Sequence, residues 1–226
     1  MNTDKFIKNL NFELILFILV YIILFVNAIV TKDSIHALIS AFCGITYTIL
    51  AGKGIPLCYP IGATGSAFYA YLSFASHLWG NLLLYACYYI PIQIAGFFLW
   101  NKNLKDGKYE IIKTRLKKKE KYFLFTLASV LSVFVICLLK HYGDKSPIID
   151  GITTVFSILG MYLTVKRTFE QWTVWIIVNS LSLFMWFKIA LSGQKVYSTV
   201  FMWLVYTMLA VYFCIVWYRE LKQTKS

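Results

Sequence analysis

The sequence predicts an all-α integral membrane protein with eight transmembrane helices, on three observations. First, 59% of the 226 residues are hydrophobic and 14% are charged, a composition too apolar for a soluble domain. Second, apolar runs long enough to cross about 30 Å of hydrocarbon recur along nearly the whole chain. Third, the basic residues alternate between loops as they do in multi-pass proteins. β-Barrel strands are excluded because the runs are too long and lack alternating polarity.

The predicted spans leave no room for a separate soluble domain. The third span is rich in glycine and serine and contains a proline, so it requires packing against neighbours or a cavity beside it. The first span is long and is followed by Thr31-Lys32-Asp33 rather than by a small-residue cleavage site, so no signal peptide is expected. The eight spans cover residues 12–30, 35–51, 59–74, 82–100, 122–139, 148–165, 172–191 and 196–218.

The basic residues predict the orientation of the spans. Nine of them lie between the fourth and fifth spans, and such loops face the cytoplasm. By alternation, seventeen of the 22 basic residues fall on the cytoplasmic side together with both termini. The net charge of +12 is therefore interpreted as a topology signal beside the lipid bilayer, in a multi-pass protein of the cell inner (plasma) membrane, and not as a nucleic-acid surface. The nine residues are Lys102, Lys105, Lys108, Lys113, Arg115, Lys117, Lys118, Lys119 and Lys121.

A shift of 113 positions relates the two halves of the chain. It superimposes Lys53 on Lys166 and Ser66 on Asn179, so spans two to four overlay spans six to eight. A single linking helix between them lets two three-helix repeats run parallel, which is a known transporter plan. The predicted organisation is an N-terminal tail and extra helix (1–34), a first repeat (35–100), a basic cytoplasmic loop and linker helix (101–147), a second repeat (148–218) and a cytoplasmic tail (219–226).

One face of the seventh span carries the main candidate site. Trp172, Trp175 and Asn179 fall at positions i, i+3 and i+7, and Ser182 and Trp186 continue the stripe. At about 100° per residue, these side chains occupy an arc of roughly 80°. Flat aromatic rings and an amide on one wall of a membrane helix indicate a ligand site.

A second stripe lies on the fourth span, where Pro91 interrupts the helical hydrogen bonding. A face of tyrosine and tryptophan in a membrane protein more often serves packing or an interfacial belt. An uncharged amide in the middle of a span, however, costs free energy unless it has a partner. Gln93 therefore favours a ligand-facing role for this stripe, which contains Tyr85, Tyr89, Gln93, Gly96 and Trp100.

Three charged residues near the ends of the helices are assigned gating or structural roles. Thr168 and Gln171 fit a capping box at the start of the seventh span, and an acid in the first turn, here Glu170, favours the helix dipole. Glu170 would face roughly 160° away from the tryptophan stripe. Lys53 and Lys166 mark equivalent cytoplasmic ends of the two predicted repeats.

Taken together, these motifs resemble the PnuC family of vitamin transporters over about residues 35–218. The resemblance implies uptake of nicotinamide riboside for NAD synthesis, a three-plus-one-plus-three helical fold related to the SWEET sugar transporters, and a homotrimer. It also implies facilitated diffusion, with a cytosolic ribosylnicotinamide kinase trapping the substrate by phosphorylation. The motifs are Trp172-x-x-Trp175-x-x-x-Asn179 preceded by Lys166 and Glu170, Tyr89-x-Pro91-x-Gln93-x-x-Gly96, Trp100, and Gly52-Lys53-Gly54.

The residue types suit such a ligand. A delocalised pyridinium is attracted to an aromatic face by about 0.5–2 kcal/mol, and amides such as Asn179 and Gln93 offer both a donor and an acceptor to ribose hydroxyls or to a carboxamide. Packing is the alternative role for Tyr85 and Trp186. The candidate aromatic faces are Trp172, Trp175, Tyr89 and Trp186.

Other functions stay open at this point. A transporter of the same fold could carry thiamine, riboflavin or a nucleoside, and thiamine also has a flat cationic ring. A membrane enzyme would need clustered acids, metal ligands or a nucleophile paired with a base, whereas most of the ten acids fall in loops or tails. A purely structural membrane component is the third alternative.

No metal site, cofactor or ion coupling is expected. The histidines lie in predicted outside loops without acids beside them, and the five cysteines are scattered through apolar segments as small core residues. Ion-driven transporters generally need an ionisable group or exposed carbonyls near the middle of the membrane. With no carboxylate in the middle of a span, the sequence predicts a uniporter.

Overall fold

The computed structural model describes residues 3–32, 35–75, 82, 84–105, 109–141, 143, 147–191 and 197–223. Across these ranges the chain is helical, and its only β-type pairings are two isolated bridges. The predicted all-α class is confirmed. The helices are α1 (Thr3–Thr31), α2 (Ile35–Lys53), α3 (Cys58–Ala75), α4 (Ile90–Asn101, preceded by a π-helical turn Leu84–Tyr89), α5 (Lys118–His141), α6 (Pro147–Val165), α7 (Glu170–Leu191) and α8 (Tyr197–Gln223).

Local sequence features account for several helix boundaries and for the π-helical turn. Pro147 is the first residue of α6, where its missing N–H costs nothing. Pro91 lies in the first turn of α4, directly after the π-helical turn, and its missing N–H interrupts the helical hydrogen bonding there. Hydroxyl groups inside the apolar helices donate to carbonyls four residues earlier, as Thr48 does to Gly44 and Ser132 to Ala128. These bonds give the hydroxyl groups a partner within their own helix, which they could not find in the surrounding hydrocarbon.

Three described helical segments are long and apolar enough to cross a membrane, namely Lys118–His141, Pro147–Val165 and Val200–Gln223. Two shorter apolar segments accompany them, Phe17–Val30 and Leu38–Lys53. Large apolar side chains cover the outside of the bundle, and an exterior of this kind suits hydrocarbon rather than water. On α5 they include Phe123, Val130, Val133 and Phe134, each at least 60% exposed.

The helices form two triplets. α2, α3 and α4 pack together, and so do α6, α7 and α8. The triplets meet along two interfaces, and in each the first helix of one triplet packs on the third helix of the other. These pairs are α2 with α8 and α6 with α4. α5 lies against α6, and α1 lies against α2 and α8.

The two triplets use the same hydrogen bonds where they meet. Trp217 on α8 donates its indole N–H to the carbonyl of Gly52 at the end of α2 (2.6 Å). Trp100 on α4 donates to the carbonyls of Thr164 and Val165 at the end of α6 (3.1 and 3.2 Å). Each indole therefore ties the third helix of one triplet to the last turn of the first helix of the other.

α2 and α6 also end in the same way, 113 residues apart. Gly54 and Arg167 both have a left-handed backbone, with φ of 77° and 61°. After α2, Ile55 N–H bonds to the carbonyl of Leu50 (2.9 Å), and after α6, Thr168 N–H bonds to that of Leu163 (3.1 Å). At each end the preceding residue adds a second bond, from Gly54 N–H to the carbonyl of Ala51 and from Arg167 N–H to that of Thr164. The paired bonds define a Schellman motif at each helix end.

The basic segment before α5 is an ordered strap, which we define as residues 109–117. Its backbone bonds to both left-handed residues: Ile111 N–H reaches the carbonyl of Gly54 (2.9 Å), and Thr114 N–H reaches that of Arg167 (2.9 Å). The carbonyl of Thr114 in turn accepts the N–H of Phe169 (2.9 Å). The strap therefore joins the same end of the two triplets, a contact that the charge pattern alone did not predict.

The predicted capping box at the start of α7 is wrong. The hydroxyl of Thr168 donates to the carbonyl of Leu163 (3.1 Å), and the Gln171 side chain donates to the carbonyl of Thr168 (3.1 Å). The N–H and the hydroxyl of Thr168 both bond to the carbonyl of Leu163 in the Schellman motif that ends α6. Thr168 therefore does not cap α7, which begins at Glu170.

Candidate ligand cavity

A cavity of about 840 Å³ lies between the two triplets. Residues from seven helices line it, all except α1. Its volume falls within the range of about 300–1,000 Å³ that is usual for small-molecule sites. The wall combines aromatic rings with amides and hydroxyls, which can stack on a flat ligand and bond to its polar edge.

α7 supplies one wall with the side chains of the predicted stripe. Trp172, Trp175, Asn179 and Ser182 all line the cavity, and all but Trp175 are buried. The side chain of Trp186 lies outside the described residues. The period of an α-helix thus brings the stripe to one surface.

Neighbouring residues fix the two tryptophan rings. Trp175 donates its indole N–H to the Thr164 hydroxyl (3.0 Å) and lies on Gly160, where an added Cβ would come within 3.1 Å of the ring. Trp172 packs against Phe213 and Trp217, with ring centroids 5.5 and 5.7 Å away. Its own buried N–H has no hydrogen-bond partner among the described residues.

The facing wall comes from α3, α4 and the π-helical turn. Gln93 donates its amide N–H to the Ser66 hydroxyl (3.1 Å), and both residues are buried and line the cavity. The other amide atom, Oε1, is buried and unpaired in the described part of the chain. It lies beside Gly62, where a Cβ would approach within 3.1 Å. A buried unpaired acceptor is costly, so this oxygen is a candidate contact for a ligand.

Tyr85 and Tyr89 also line the cavity. Their rings meet edge to face at 4.8 Å, and Tyr85 stacks on Tyr69 with centroids 4.3 Å apart. Tyr89 is hydrogen-bonded to Ser157 of α6. Tyr89 therefore links the fourth-helix wall to the second triplet, while Tyr85 mainly extends an aromatic cluster.

Two members of the α4 stripe do not line the cavity. Trp100 is fully buried at the interface with α6, and Gly96 lies under the ring of Tyr59, which would overlap any Cβ placed there. Tyr59 packs edge to face on Trp100 (5.0 Å). Trp100 and Gly96 therefore serve helix packing, the alternative that the sequence left open for this stripe.

Sequence reasoning missed a polar stripe on α6. Its members recur at helical spacing from the first turn to the last, and they contribute hydroxyls, a thioether and one carboxylate to the cavity. The signal was present as i, i+4, i+7, i+11 and i+14 spacing, but no aromatic residue marked it. The residues are Asp150, Thr154, Ser157, Met161 and Thr164, with Thr153 beside them.

Asp150 is the single acid or base among the described lining residues, which include no lysine, arginine or histidine. It lies in the first turn of α6, where the helix dipole stabilises a negative charge. The sequence predicted no carboxylate in the middle of a span. Asp150 does not lie in the middle of α6, but it does line the cavity from the first turn of that helix.

The three residues assigned gating or structural roles are not among those that line the cavity. Glu170 is buried and accepts the backbone N–H of Leu116 in the strap (3.1 Å). Lys166 forms a half-exposed ion pair with Glu120 (2.8 Å), and that hydrogen bond raises the pKa of Lys166. Lys53 lies over a phenyl ring of α1 at 5.3 Å.

An ion pair also fixes the strap to α8. Lys113 Nζ lies 2.5 Å from a carboxylate oxygen of Glu220 and 5.0 Å from the ring of Trp217. Burial lowers the pKa of Lys113, against the opposing effect of Glu220. Trp217 also packs against Trp172, which lines the cavity. The Lys113–Glu220 ion pair is therefore separated from the cavity only by these two rings.

Comparison with known proteins places the chain in a family. The sequence model of the family described as "Nicotinamide mononucleotide transporter" matches residues 34–219. The nicotinamide riboside transporter PnuC of Neisseria mucosa is 33% identical over 199 residues, which are 84% of this chain and 74% of that protein. The protein of the same name from Haemophilus influenzae is 32% identical over 158 residues, 69% and 70% of the two chains.

A solved structure agrees with this assignment. The crystal structure of the vitamin B3 transporter PnuC superimposes with a TM-score of 0.81 at 29% identity, over 94% of this chain and 92% of that one. The resemblance inferred from the tryptophan–asparagine motif is confirmed. This chain belongs to the PnuC family of membrane transporters.

Proposed function

We propose that the protein carries nicotinamide riboside into the cell by facilitated diffusion, for NAD synthesis. The observation that supports this proposal is the cavity between the triplets, where Trp172, Trp175 and Asn179 face Gln93 and Ser66. Relatives that share about a third of its sequence are named nicotinamide riboside transporters. On this proposal the pyridinium stacks on indole rings, and the ribose and carboxamide bond to the amides.

The charge of the wall favours the riboside over its phosphorylated form. The family description names the mononucleotide, but a phosphate would find no lysine, arginine or histidine among the described lining residues. A buried anion without a partner is strongly disfavoured. We therefore assign the uncharged ribose end, and not a phosphate, to this cavity.

The finer architecture is part of the proposal. We assign eight transmembrane helices in a three-plus-one-plus-three arrangement, with α5 as the linker and both termini in the cytoplasm. The exchanged interfaces and the matching ends of α2 and α6 support two parallel repeats. By the family resemblance we also assign a homotrimer, and a cytosolic kinase that phosphorylates the imported riboside.

The three charged residues complete this picture. Glu170 has a structural role, since it holds the strap to the start of α7 through the N–H of Leu116. Lys166 supports the same region through Glu120, and Lys53 is its counterpart at the end of α2. We assign none of them to the substrate.

Equilibrium binding to the purified protein tests the choice of substrate. Titrations with nicotinamide riboside, its 5′-phosphate, thiamine and riboflavin should give the tightest binding for the riboside. Thiamine is the second candidate, because its cationic ring suits the same aromatic wall. Tighter binding of thiamine than of nicotinamide riboside would overturn the proposal.

Transport should need no ion gradient. Among the described lining residues the one carboxylate, Asp150, lies in the first turn of α6 and not in the middle of a span. Uptake of nicotinamide riboside into reconstituted vesicles should therefore proceed at the same initial rate with and without proton or sodium gradients. Loss of uptake when either gradient is collapsed would contradict uniport.

Replacing Trp175 should separate stacking from hydrogen bonding. Trp175→Ala removes the ring and should weaken riboside binding by about 10- to 100-fold. Trp175→Phe keeps a smaller aromatic face and loses the bond to the Thr164 hydroxyl, so it should weaken binding by less than about 10-fold. If the two variants lose affinity equally, the ring does not hold the ligand by stacking.

A further inference from the structure

We propose that Tyr47 on α2 binds the ligand through its ring, as the first triplet's counterpart of Trp175. This inference rests on the proposed function and adds a binding residue to the same cavity. Tyr47 belongs to none of the motifs from which the family was inferred, and the two aromatic stripes of the sequence lie on other helices. What carries the proposal is a contact between a ring and a glycine that occurs in both triplets.

This contact has its partners exchanged between the triplets. In the second triplet, the ring of Trp175 on α7 lies on Gly160 of α6, where an added Cβ would come within 3.1 Å of it. In the first triplet, the ring of Tyr47 on α2 lies on Gly62 of α3, where an added Cβ would come within 2.5 Å. The shift of 113 positions places Tyr47 on Gly160 and Gly62 on Trp175. Each triplet therefore holds a ring between its first two helices, supplied by the first helix in one and by the second helix in the other.

The exchange hides Tyr47 from a comparison of equivalent positions. The position equivalent to Trp175 holds Gly62, which has no side chain to present to a ligand. The missing side chain is what allows the ring of Tyr47 to approach the backbone of α3 so closely. Tyr47 and Trp175 are both half-buried, and both line the cavity. The first triplet therefore presents an aromatic ring to the cavity, as the second triplet does.

An amide accompanies the ring in both triplets. Asn179 follows Trp175 by one turn of α7 and lines the cavity. Gln93 places its Oε1 3.1 Å from the same added Cβ of Gly62 that meets the ring of Tyr47. This oxygen is buried and has no hydrogen-bond partner in the part of the chain that the structure describes. A ligand stacked on Tyr47 can therefore donate to an acceptor that is costly to leave unpaired.

The two rings approach the same turn of α6. Trp175 lies on Gly160, and the Tyr47 hydroxyl lies 3.5 Å from the sulfur of Met161, the next residue. A thioether is only a weak acceptor, so we assign the ring of Tyr47, and not its hydroxyl, to the ligand. A delocalised cationic ring bound at this turn would have an aromatic face available from each triplet.

Equilibrium binding of nicotinamide riboside to the full-length purified protein tests the assignment. Tyr47→Leu keeps an apolar side chain and removes the aromatic face, so affinity should fall by about 5- to 30-fold. Tyr47→Phe keeps the face and loses the hydroxyl, so affinity should stay within about 3-fold of that of the original protein. Thermal unfolding without ligand measures any loss of stability separately.

A third variant needs no truncation of the ring. When 3,5-difluorophenylalanine replaces Tyr47, the ring remains but its negative face is weakened. Affinity should then fall by about 2- to 5-fold relative to Tyr47→Phe. A residue that only packs would give the same affinity in both, and that result would overturn the proposal even if Tyr47→Leu were too unstable to measure.

The controls separate this inference from the function on which it rests. Tyr71→Leu is the matched control, because Tyr71 is exposed on α3 and does not line the cavity, so it should leave the affinity unchanged. Unchanged affinity in Tyr47→Leu, or equal losses in Tyr47→Leu and Tyr47→Phe, would remove the ring of Tyr47 from the site. A wrong choice of substrate would appear instead as tighter binding of thiamine by the unsubstituted protein.

Discussion

Asn179→Ala lowers the affinity for nicotinamide riboside by about 30- to 150-fold, the largest effect that we expect from a single truncation in the cavity. The Asn179 amide is buried and lines the cavity. Loss of two hydrogen bonds to a ligand costs about 2–3 kcal/mol, which gives this range. Isothermal titration of the purified variant measures the change directly.

The fold should survive this substitution. Truncation at the wall enlarges a space that is already open, so the backbone need not move, and the apparent melting temperature should change by no more than a few degrees. Asn101→Ala is the matched control, because Asn101 is exposed at the end of α4, does not line the cavity, and donates to the carbonyl of Phe97 in its own helix (2.8 Å). Unchanged affinity in Asn179→Ala would remove this residue from the site.

The part of the site that could be predicted lies on single helices. The spacing of Trp172, Trp175 and Asn179 fixes one face of α7 whatever the tertiary structure, because helical geometry alone brings those positions together. An amide in an apolar span costs free energy without a partner, and Gln93 accordingly pairs with Ser66 across two helices. These inferences need no knowledge of packing.

The α6 stripe could not be found by the same reasoning. Serine and threonine in apolar helices commonly bond to their own backbone, so they do not by themselves indicate a ligand. Thr164 does so with Gly160 and also accepts the indole N–H of Trp175. Only the packing of α7 on α6 reveals that second role. Asp150, two residues inside a predicted span, resembled an ordinary helix-end acid.

The ordered structure of the strap could not be predicted from the sequence, for a different reason. Its basic residues suggested only orientation in the membrane, whereas its order depends on carbonyls that the left-handed residues Gly54 and Arg167 present at two distant helix ends. Each Schellman motif is local, but their joint contact with Ile111 and Thr114 depends on the arrangement of both triplets. The capping box predicted at Thr168 was wrong because Thr168 instead belongs to the Schellman motif at the end of α6, where it bonds to the carbonyl of Leu163.

The contact of the strap with α8 gives the largest stability effect that we expect. In Glu220→Gln, the Lys113 ammonium stays buried, with its side chain 4% exposed, and loses its anionic partner. The cost should be about 1–3 kcal/mol, below the full cost of a broken buried pair because the Glu220 side chain is 38% exposed. Thermal unfolding in detergent, followed by tryptophan fluorescence, measures the loss as a lower apparent melting temperature.

A double-mutant cycle identifies the cause. Lys113→Met removes the charge and keeps an apolar stem over Trp217, so Lys113→Met combined with Glu220→Gln should be more stable than Glu220→Gln alone. The matched control is the exposed pair of Lys105 and Glu110, with side chains 35% and 45% exposed. Its disruption should cost less than about 1 kcal/mol. If the double variant is the less stable one, an uncompensated Lys113 charge is not the reason for the loss, and the strap is held chiefly by its backbone bonds.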